Sequence, residues 1–404
     1  MKSPVYLDNN ATTPLDPRVL QAMMPYLTGE FGNAGSRSHA FGRRAAQAVD
    51  QARGQVAALI GASPEEIVFT SGATESDNLA IKGVAEAGRD KGRHLVTCLT
   101  EHQAVIDVCR HLERQGCEVT WLKPDRFGRV SAEQVGQAVR DDTVLVTLMT
   151  ANNETGTVHP VADIGRVAKD RGVLFHTDAA QAVGRVPLEV NAAGVDLLSL
   201  SAHKIYGPKG VGVLYVRRRE PRVRLACQMH GGGQERGLRS GTLNVPGIVG
   251  LGAAAEFARQ ALAAESRQLA RLRNRLHEAL SAALDGLTLN GHPAERLPNT
   301  LNVSLARVEA EKLMARAGGV AMSSGSACTS ALLTASHVLK AMGVPEDQAY
   351  GAVRLSLGRF NTEADIDRAA EEIIRAVQAI RGDDPSHGER GDSKVCDCKD
   401  GSCR

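Results

Sequence analysis

The sequence predicts an α/β protein, with a large domain built on a mainly parallel seven-stranded sheet and a smaller α+β domain behind it. Three observations carry this. Short β-rich apolar runs alternate with longer helical patterns from about residue 45 to residue 260, which is how helix-covered parallel sheets present themselves. Several runs, such as Val144-Leu145-Val146 and Val173-Leu174-Phe175, are apolar on both faces and therefore belong in the middle of a covered sheet. After Ile248 the alternation gives way to a long stretch rich in Ala, Leu and Arg.

In chain order, the runs predict strands over residues 66–70, 94–98, 118–122, 143–149, 173–177, 197–201 and 212–216. A long helical stretch reaches about Leu284, followed by a strand at 300–305, further helices and a strand at 353–357. The expected division is an N-terminal segment (1–14) associated with the small domain, a large domain (15–259), a small domain (260–380) and a tail (381–404). The tail is charged, contains glycine and carries almost no apolar side chains, so it cannot offset its ordering entropy and is expected to be mobile.

The chain has 404 residues, of which 43% are hydrophobic and 23% charged, with 48 Lys plus Arg against 46 Asp plus Glu. A chain of this length buries a large core, and its charge balance gives no basic footprint for nucleic acid. Thirteen aromatic residues provide little material for base stacking. Eight cysteines without framework spacing do not make a secreted disulfide scaffold. The N-terminal residues lack an apolar signal core, and no stretch reaches the roughly 18 apolar residues of a membrane span. A soluble protein of the reducing cytoplasm is expected, with no direct contact to nucleic acid or membrane.

Three strand ends carry chemistry. Ser199-Leu200-Ser201-Ala202-His203-Lys204 places an amine before a Gly/Pro turn, and Phe175-His176-Thr177-Asp178 places an acid at the carboxyl edge of the sheet, where ligands of open α/β sheets bind. Phe69-Thr70-Ser71-Gly72-Ala73-Thr74-Glu75-Ser76 runs through small residues into a helix, and such a start can seat a phosphate. Singly, each has an ordinary alternative: a loop lysine, a helix N-cap, a Ser/Thr cap with an acid in the first turn. Together they supply an amine for a Schiff base, a carboxylate for a protonated ring nitrogen and a phosphate cradle, which is the equipment of a pyridoxal-phosphate site.

Here the chain resembles the cysteine desulfurases of the NifS/IscS class, fold-type-I pyridoxal-phosphate enzymes within the class-V aminotransferases. The resemblance rests on Tyr6-Leu7-Asp8-Asn9-Asn10-Ala11-Thr12-Thr13-Pro14, the Ser71–Ser76 run, Thr100-Glu101-His102-Gln103, Ala151-Asn152-Asn153-Glu154-Thr155-Gly156, His176–Gln181, the Lys204 segment, Arg239-Ser240-Gly241-Thr242, Ser323-Ser324-Gly325-Ser326-Ala327-Cys328-Thr329-Ser330 and Arg354-Leu355-Ser356-Leu357-Gly358. It implies that Lys204 binds the cofactor covalently, Asp178 pairs with the pyridine nitrogen, Gln181 bonds the phenolic oxygen and His102 stacks on the ring and relays protons. It further implies Ala73, Thr74, Ser201 and His203 around the phosphate, with Thr242 reaching across from the other protomer of a homodimer. Asn153 would serve both cofactor and substrate, and Asn33 and Arg354 would hold L-cysteine, Arg354 through its planar fork.

Cys328 sits in a run of small residues predicted to form a mobile loop over about 321–332, where burial as a small hydrophobe is implausible. By the resemblance it attacks the substrate's sulfur, leaves alanine, and carries a persulfide to an iron–sulfur scaffold protein or, as a second destination, to tRNA thiolation. Selenocysteine lyase, cysteine sulfinate desulfinase and a catalytically silent scaffold are the alternatives. No resident metal is expected. Cys328 as a transient cluster ligand, and Cys396, Cys398 and Cys403 in the tail, are the thiolates open to one, but the single residue between Cys396 and Cys398 suits metal spacing poorly. A tail with no defined role, or a weak accessory one, is the favoured reading.

Overall fold

The computed structural model describes residues 3–324 and 335–383. A two-residue strand, β1 (Val5–Tyr6), opens the chain. Seven apolar runs then form one sheet: β2 (Ile67–Thr70), β3 (His94–Cys98), β4 (Glu118–Leu122), β5 (Thr143–Thr147), β6 (Leu174–Asp178), β7 (Leu197–Ser201) and β8 (Gly212–Val216). The order is β2-β8-β7-β6-β5-β3-β4. All pairings are parallel except those of β8, which runs antiparallel to β2 and β7.

Period-2 alternation sorts each strand's side chains onto two faces. Ile67 and Phe69 join the core beneath the Ala40–Ile60 helix, whereas Val68 faces the opposite core with Leu79, Ile81 and Val84 of the Ala73–Ala87 helix. Both faces are covered, which is why β3, β5 and β7 are buried along their whole length. Strand β4 lies at the edge and begins with exposed Glu118, a charge of the kind that discourages edge-to-edge pairing.

The Val245–Ala283 helix runs through the expected boundary at residues 259 and 260. Its first part, with Ile248, Leu251 and Ala254, belongs to the large core. Close crossing with the Ala40–Ile60 helix depends on glycine: a Cβ on Gly252 would stand 2.6 Å from Ala52. Its later part presents Leu269, Leu272, Leu276 and Leu280, spaced to share one helical face, to a second core that also takes Val5 and Leu7.

That second core is built on β9 (Leu287–Leu289), β10 (Thr300–Leu305) and β12 (Ala352–Ser356), an antiparallel sheet in the order β12-β10-β9, with β11 (Val320–Ala321) pairing in parallel with β1. The Glu363–Gly382 helix covers it with Ile366, Ala370, Ile373 and Val377. The two- and three-residue strands β1, β9 and β11 are too short to leave a periodic signature in the sequence.

Candidate active site

The carboxyl ends of the large sheet's strands converge on one cavity of about 500 Å³. Strand β6 delivers Asp178, paired in register with Ser199 of β7, and β7 continues through Ser201 into the single turn that carries His203 and Lys204. Strand β2 leads through Ser71 and Gly72 into the Ala73–Ala87 helix. Beyond β3, His102 caps the Gln103–Arg114 helix. Nine of the expected residues line this cavity: Ala73, Thr74, His102, Asn153, Asp178, Gln181, Ser201, His203 and Lys204.

The helix start is a seat for an anion. Gly72 occupies the N-cap at φ 155° and no side chain caps it, so neither Ser71 nor Thr74 plays the capping role that their letters equally allowed. A Cβ on Gly212 would lie 2.6 Å from the Gly72 Cα; only glycine lets β8 pass this close. Glu75, in the first turn and on the cavity wall, accepts from Ser71 N at 2.8 Å and pairs with Arg239 Nε at 2.8 Å. Burial pushes its carboxyl up, but the bonds from Arg239 and Ser71 outweigh that and hold it below the ordinary range. The first-turn N–H groups and the helix dipole therefore open onto the cavity beside a carboxylate whose charge Arg239 balances.

Lys204 Nζ donates to the backbone carbonyls of Asn10 (2.5 Å) and Ala11 (2.8 Å). Asp178 Oδ1 accepts from Ala180 N at 2.9 Å. Burial holds the Asp178 carboxyl above the ordinary range, and His102, the Ala180 N–H and Lys204 offset this only in part. His102 Nδ1 accepts from Ala104 N at 3.1 Å, which leaves the proton of the neutral ring on Nε2. Burial and the nearby Lys204 favour that neutral ring, against Asp178. His203 is likewise held neutral, its pKa brought down to about 4 by burial and then by Lys204 and Lys209, with Nδ1 at 3.1 Å from Thr12 Oγ1.

Three expected residues lie apart from the cavity lining. Asn33 is exposed and accepts from Gly35 N at 2.8 Å, and Thr242 is exposed. Arg354 is 2% exposed, with Nη2 on Asp8 Oδ1 at 2.7 Å and Nη1 on the Asn153 carbonyl at 3.1 Å. Its fork thus holds a carboxylate next to a cavity residue, while its Nε has no partner. Cys328, Cys396, Cys398 and Cys403 lie outside the described residues. Among the described residues no group of three His, Cys, Asp or Glu is placed to hold a metal, and no helix is long and apolar enough to cross a membrane.

Sequence reasoning gave no role to Asn10, whose carbonyl and side chain meet Lys204, Gln181 and Arg185, nor to Asp77. Asp77 lines the cavity fully buried, and neither of its oxygens makes a hydrogen bond of normal geometry. Burial, and then the neighbouring Asp178, push its carboxyl well up. No local signal marks either residue, because their roles arise from contacts across the fold.

The family model described as Aminotransferase class-V matches residues 5–369. The chain belongs to the class-V aminotransferase family. Within that family it is similar to proteins named cysteine desulfurase IscS. The one from Anaeromyxobacter dehalogenans is 59% identical over 381 residues, covering 94% of each chain. Among solved structures, a NifS-like protein aligns with a TM-score of 0.87 at 39% identity, covering 93% of this chain and 100% of that one. SspA in complex with cysteine aligns at 0.78, also with 39% identity, covering 88% of this chain and 99% of that one.

Class-V aminotransferases of the desulfurase type depend on pyridoxal 5'-phosphate. The donor set of this chain fits that group. The uncapped helix start suits its phosphate, the buried Asp178 carboxylate suits a protonated ring nitrogen, and Lys204 supplies the amine, all within one cavity.

Proposed function

We propose that this chain is a pyridoxal-phosphate-dependent cysteine desulfurase that takes sulfur from L-cysteine, releases L-alanine, and carries the sulfur as a persulfide on Cys328 to an iron–sulfur scaffold protein. The observation that carries the reading is the convergence of Lys204, Asp178, His102 and Gln181 on one cavity beside an uncapped helix start, in a chain so similar to cysteine desulfurases. When bound, pyridoxal phosphate supplies the electron sink for breaking bonds at the substrate's Cα and Cβ.

The protein's own groups do the rest. Lys204 holds the cofactor and stands ready as the amine nearest the substrate's Cα proton. Asp178, buried beside the cavity, pairs with the ring nitrogen, whose positive charge favours the ionised carboxylate that burial alone disfavours. Thr74, Ser201, His203 and the N–H groups after Gly72 bind the phosphate, and Thr242 completes the seat from the other subunit of a homodimer. Proton transfer at His102 runs through Nε2, because Nδ1 is occupied by Ala104 N–H.

Arg354 receives the substrate carboxylate in a fork that already grips the Asp8 carboxylate, with Asn153 and Asn33 completing the substrate site. Cys328 acts as a thiolate; an ordinary thiol of pKa about 8.5 is only a few per cent ionised at pH 7. A group of the bound substrate therefore takes its proton, since the neutral His102 already carries one on Nε2 and spends Nδ1 on Ala104 N–H. A thiol that cycles between free and persulfide forms belongs in a reducing compartment, the cytoplasm.

The test is Cys328→Ser. It should bind pyridoxal phosphate and cysteine, form no persulfide and make no alanine catalytically. Sustained alanine release by this variant would sink the assignment and move the chain toward the selenocysteine or cysteine sulfinate enzymes.

A further inference from the structure

Arg185 is a buried cation to which the chemistry above gives no task. It lies in the turns after β6 and is 6% exposed. Its guanidinium is spread over four neutral acceptors: Asn10 Oδ1 at 2.6 Å, Gln181 Oε1 at 3.0 Å, and the carbonyls of Asn9 and Lys204, each at 3.3 Å. Among the described residues no carboxylate forms an ion pair with it; Glu265, whose charge acts on it, is paired with Arg359 at 2.8 Å. A buried guanidinium without a counter-charge is strongly unfavourable, so ordinary packing does not account for it.

Two of its four partners, Gln181 and Lys204, line the cavity, and a third, Asn10, bonds both of them. Asn10 accepts from Lys204 Nζ at 2.5 Å and from Gln181 Nε2 at 2.9 Å through its carbonyl while its side-chain oxygen faces Arg185. Gln181 therefore has a single allowed amide orientation. Its oxygen must face the guanidinium, because a flipped amide would set donor against donor, and one of its two N–H groups is spent on Asn10. The other N–H remains available at the cavity that Gln181 lines.

We propose that Arg185 is a positioning residue of the cofactor site, locking the Gln181 amide so that it donates to the cofactor's phenolic oxygen, and holding a positive charge across Asn10 from the Lys204 nitrogen that disfavours a proton there. A cation nearby destabilises a second positive charge. The other charged groups acting near that nitrogen are Asp178 on β6, His102 at the start of its helix, and His203 and Lys209 after β7. Those facing Arg185 are Tyr206, Glu265 and Arg354.

The inference rests on Lys204 as the cofactor-binding amine, not on cysteine as the substrate. Loss of alanine production and failure of this proposal are therefore separate results. The test is a pH titration of the bound cofactor's visible absorption in the pyridoxal-phosphate-loaded full chain, for wild type, Arg185→Met and Arg185→Lys. Arg185→Met should raise the midpoint by about one pH unit, a roughly tenfold tighter hold on the proton. Arg185→Lys keeps the charge and should titrate like wild type. Having lost the fork, both variants should shift the band in the direction that Gln181→Ala shifts it. A wild-type midpoint and band position in Arg185→Met overturn the proposal. Should that variant fail to take up cofactor, Arg185→Gln, neutral but still hydrogen-bonding, must show the same rise, and an unmoved midpoint there is equally decisive against it.

Discussion

Glu154→Gln should stabilise the protein in a pH-dependent way. Glu154 is 3% exposed, and its Oε2 accepts from Ser336 Oγ at 2.5 Å. Ser336 Oγ in turn accepts from Val338 N (3.1 Å) and Leu339 N (3.2 Å), capping the His337–Ala341 helix just after residues 325–334. Burial lifts the Glu154 pKa from 4.5 to about 7, against the opposing pull of Ser336 and Arg354. Between those two values the folded state holds a proton that the unfolded state has lost, so stability falls as pH rises through this window and levels off above it. From pH 5 to pH 8 the loss is ~2.5 kcal/mol, at ~1.36 kcal/mol per unit. The amide of the variant cannot ionise and escapes that loss. Relative to wild type, the variant's unfolding free energy should therefore rise by about this amount between pH 5 and pH 8, whatever its pH-independent offset. Guanidinium unfolding of both proteins at the two pH values, at equal pyridoxal phosphate, gives the double difference. An offset that is the same at both pH values would refute a raised Glu154.

Lys204→Ala should give a protein with no borohydride-reducible absorption band, and turnover reduced by about 10³-fold or more; alanine release measures the second effect. Glu235 receives Arg53 Nη2 on Oε1 at 2.7 Å and Nη1 on Oε2 at 2.8 Å, with Phe69 N also on Oε2 at 2.8 Å. Glu235→Ala leaves the buried guanidinium unpaired and should cost roughly 3–5 kcal/mol in denaturant unfolding; a loss below about 1 kcal/mol would mean that Arg53 re-pairs or is solvated. Burial pushes the Cys98 thiol up to about 12 and Cys109 higher still. Iodoacetamide at pH 8 should leave both unlabelled in the folded protein and label both after denaturation, as read by peptide mass spectrometry.

The architecture of the large sheet was legible because it is written in local pattern. All seven strands fall within two residues of the runs that predict them, and the runs apolar on both faces are the ones buried centrally. The most shortened strand, β5, ends at Thr147 where residues to 149 were expected, although Leu148 N and Thr150 N still bond the His176 and Asp178 carbonyls of β6. Strand-end chemistry was legible for a related reason: Asp178, Lys204 and the Gly72 start each stand where an apolar run stops.

Chemical identity and strand-end placement were thus determined by the sequence itself, because apolar periodicity and residue type are properties of a few neighbouring residues. Only the tertiary structure decided how those ends meet. Asp8 reaches Arg354 across 346 positions, Asn10 gathers Lys204, Gln181 and Arg185, and Asp77 comes to rest beside the acid of β6. Hydrogen bonding and charge act through space and leave no periodicity along the chain. The ionisation of Glu154, Asp77 and His203 was hidden for the same reason, since it follows from the water that folding removes and the charges it brings near.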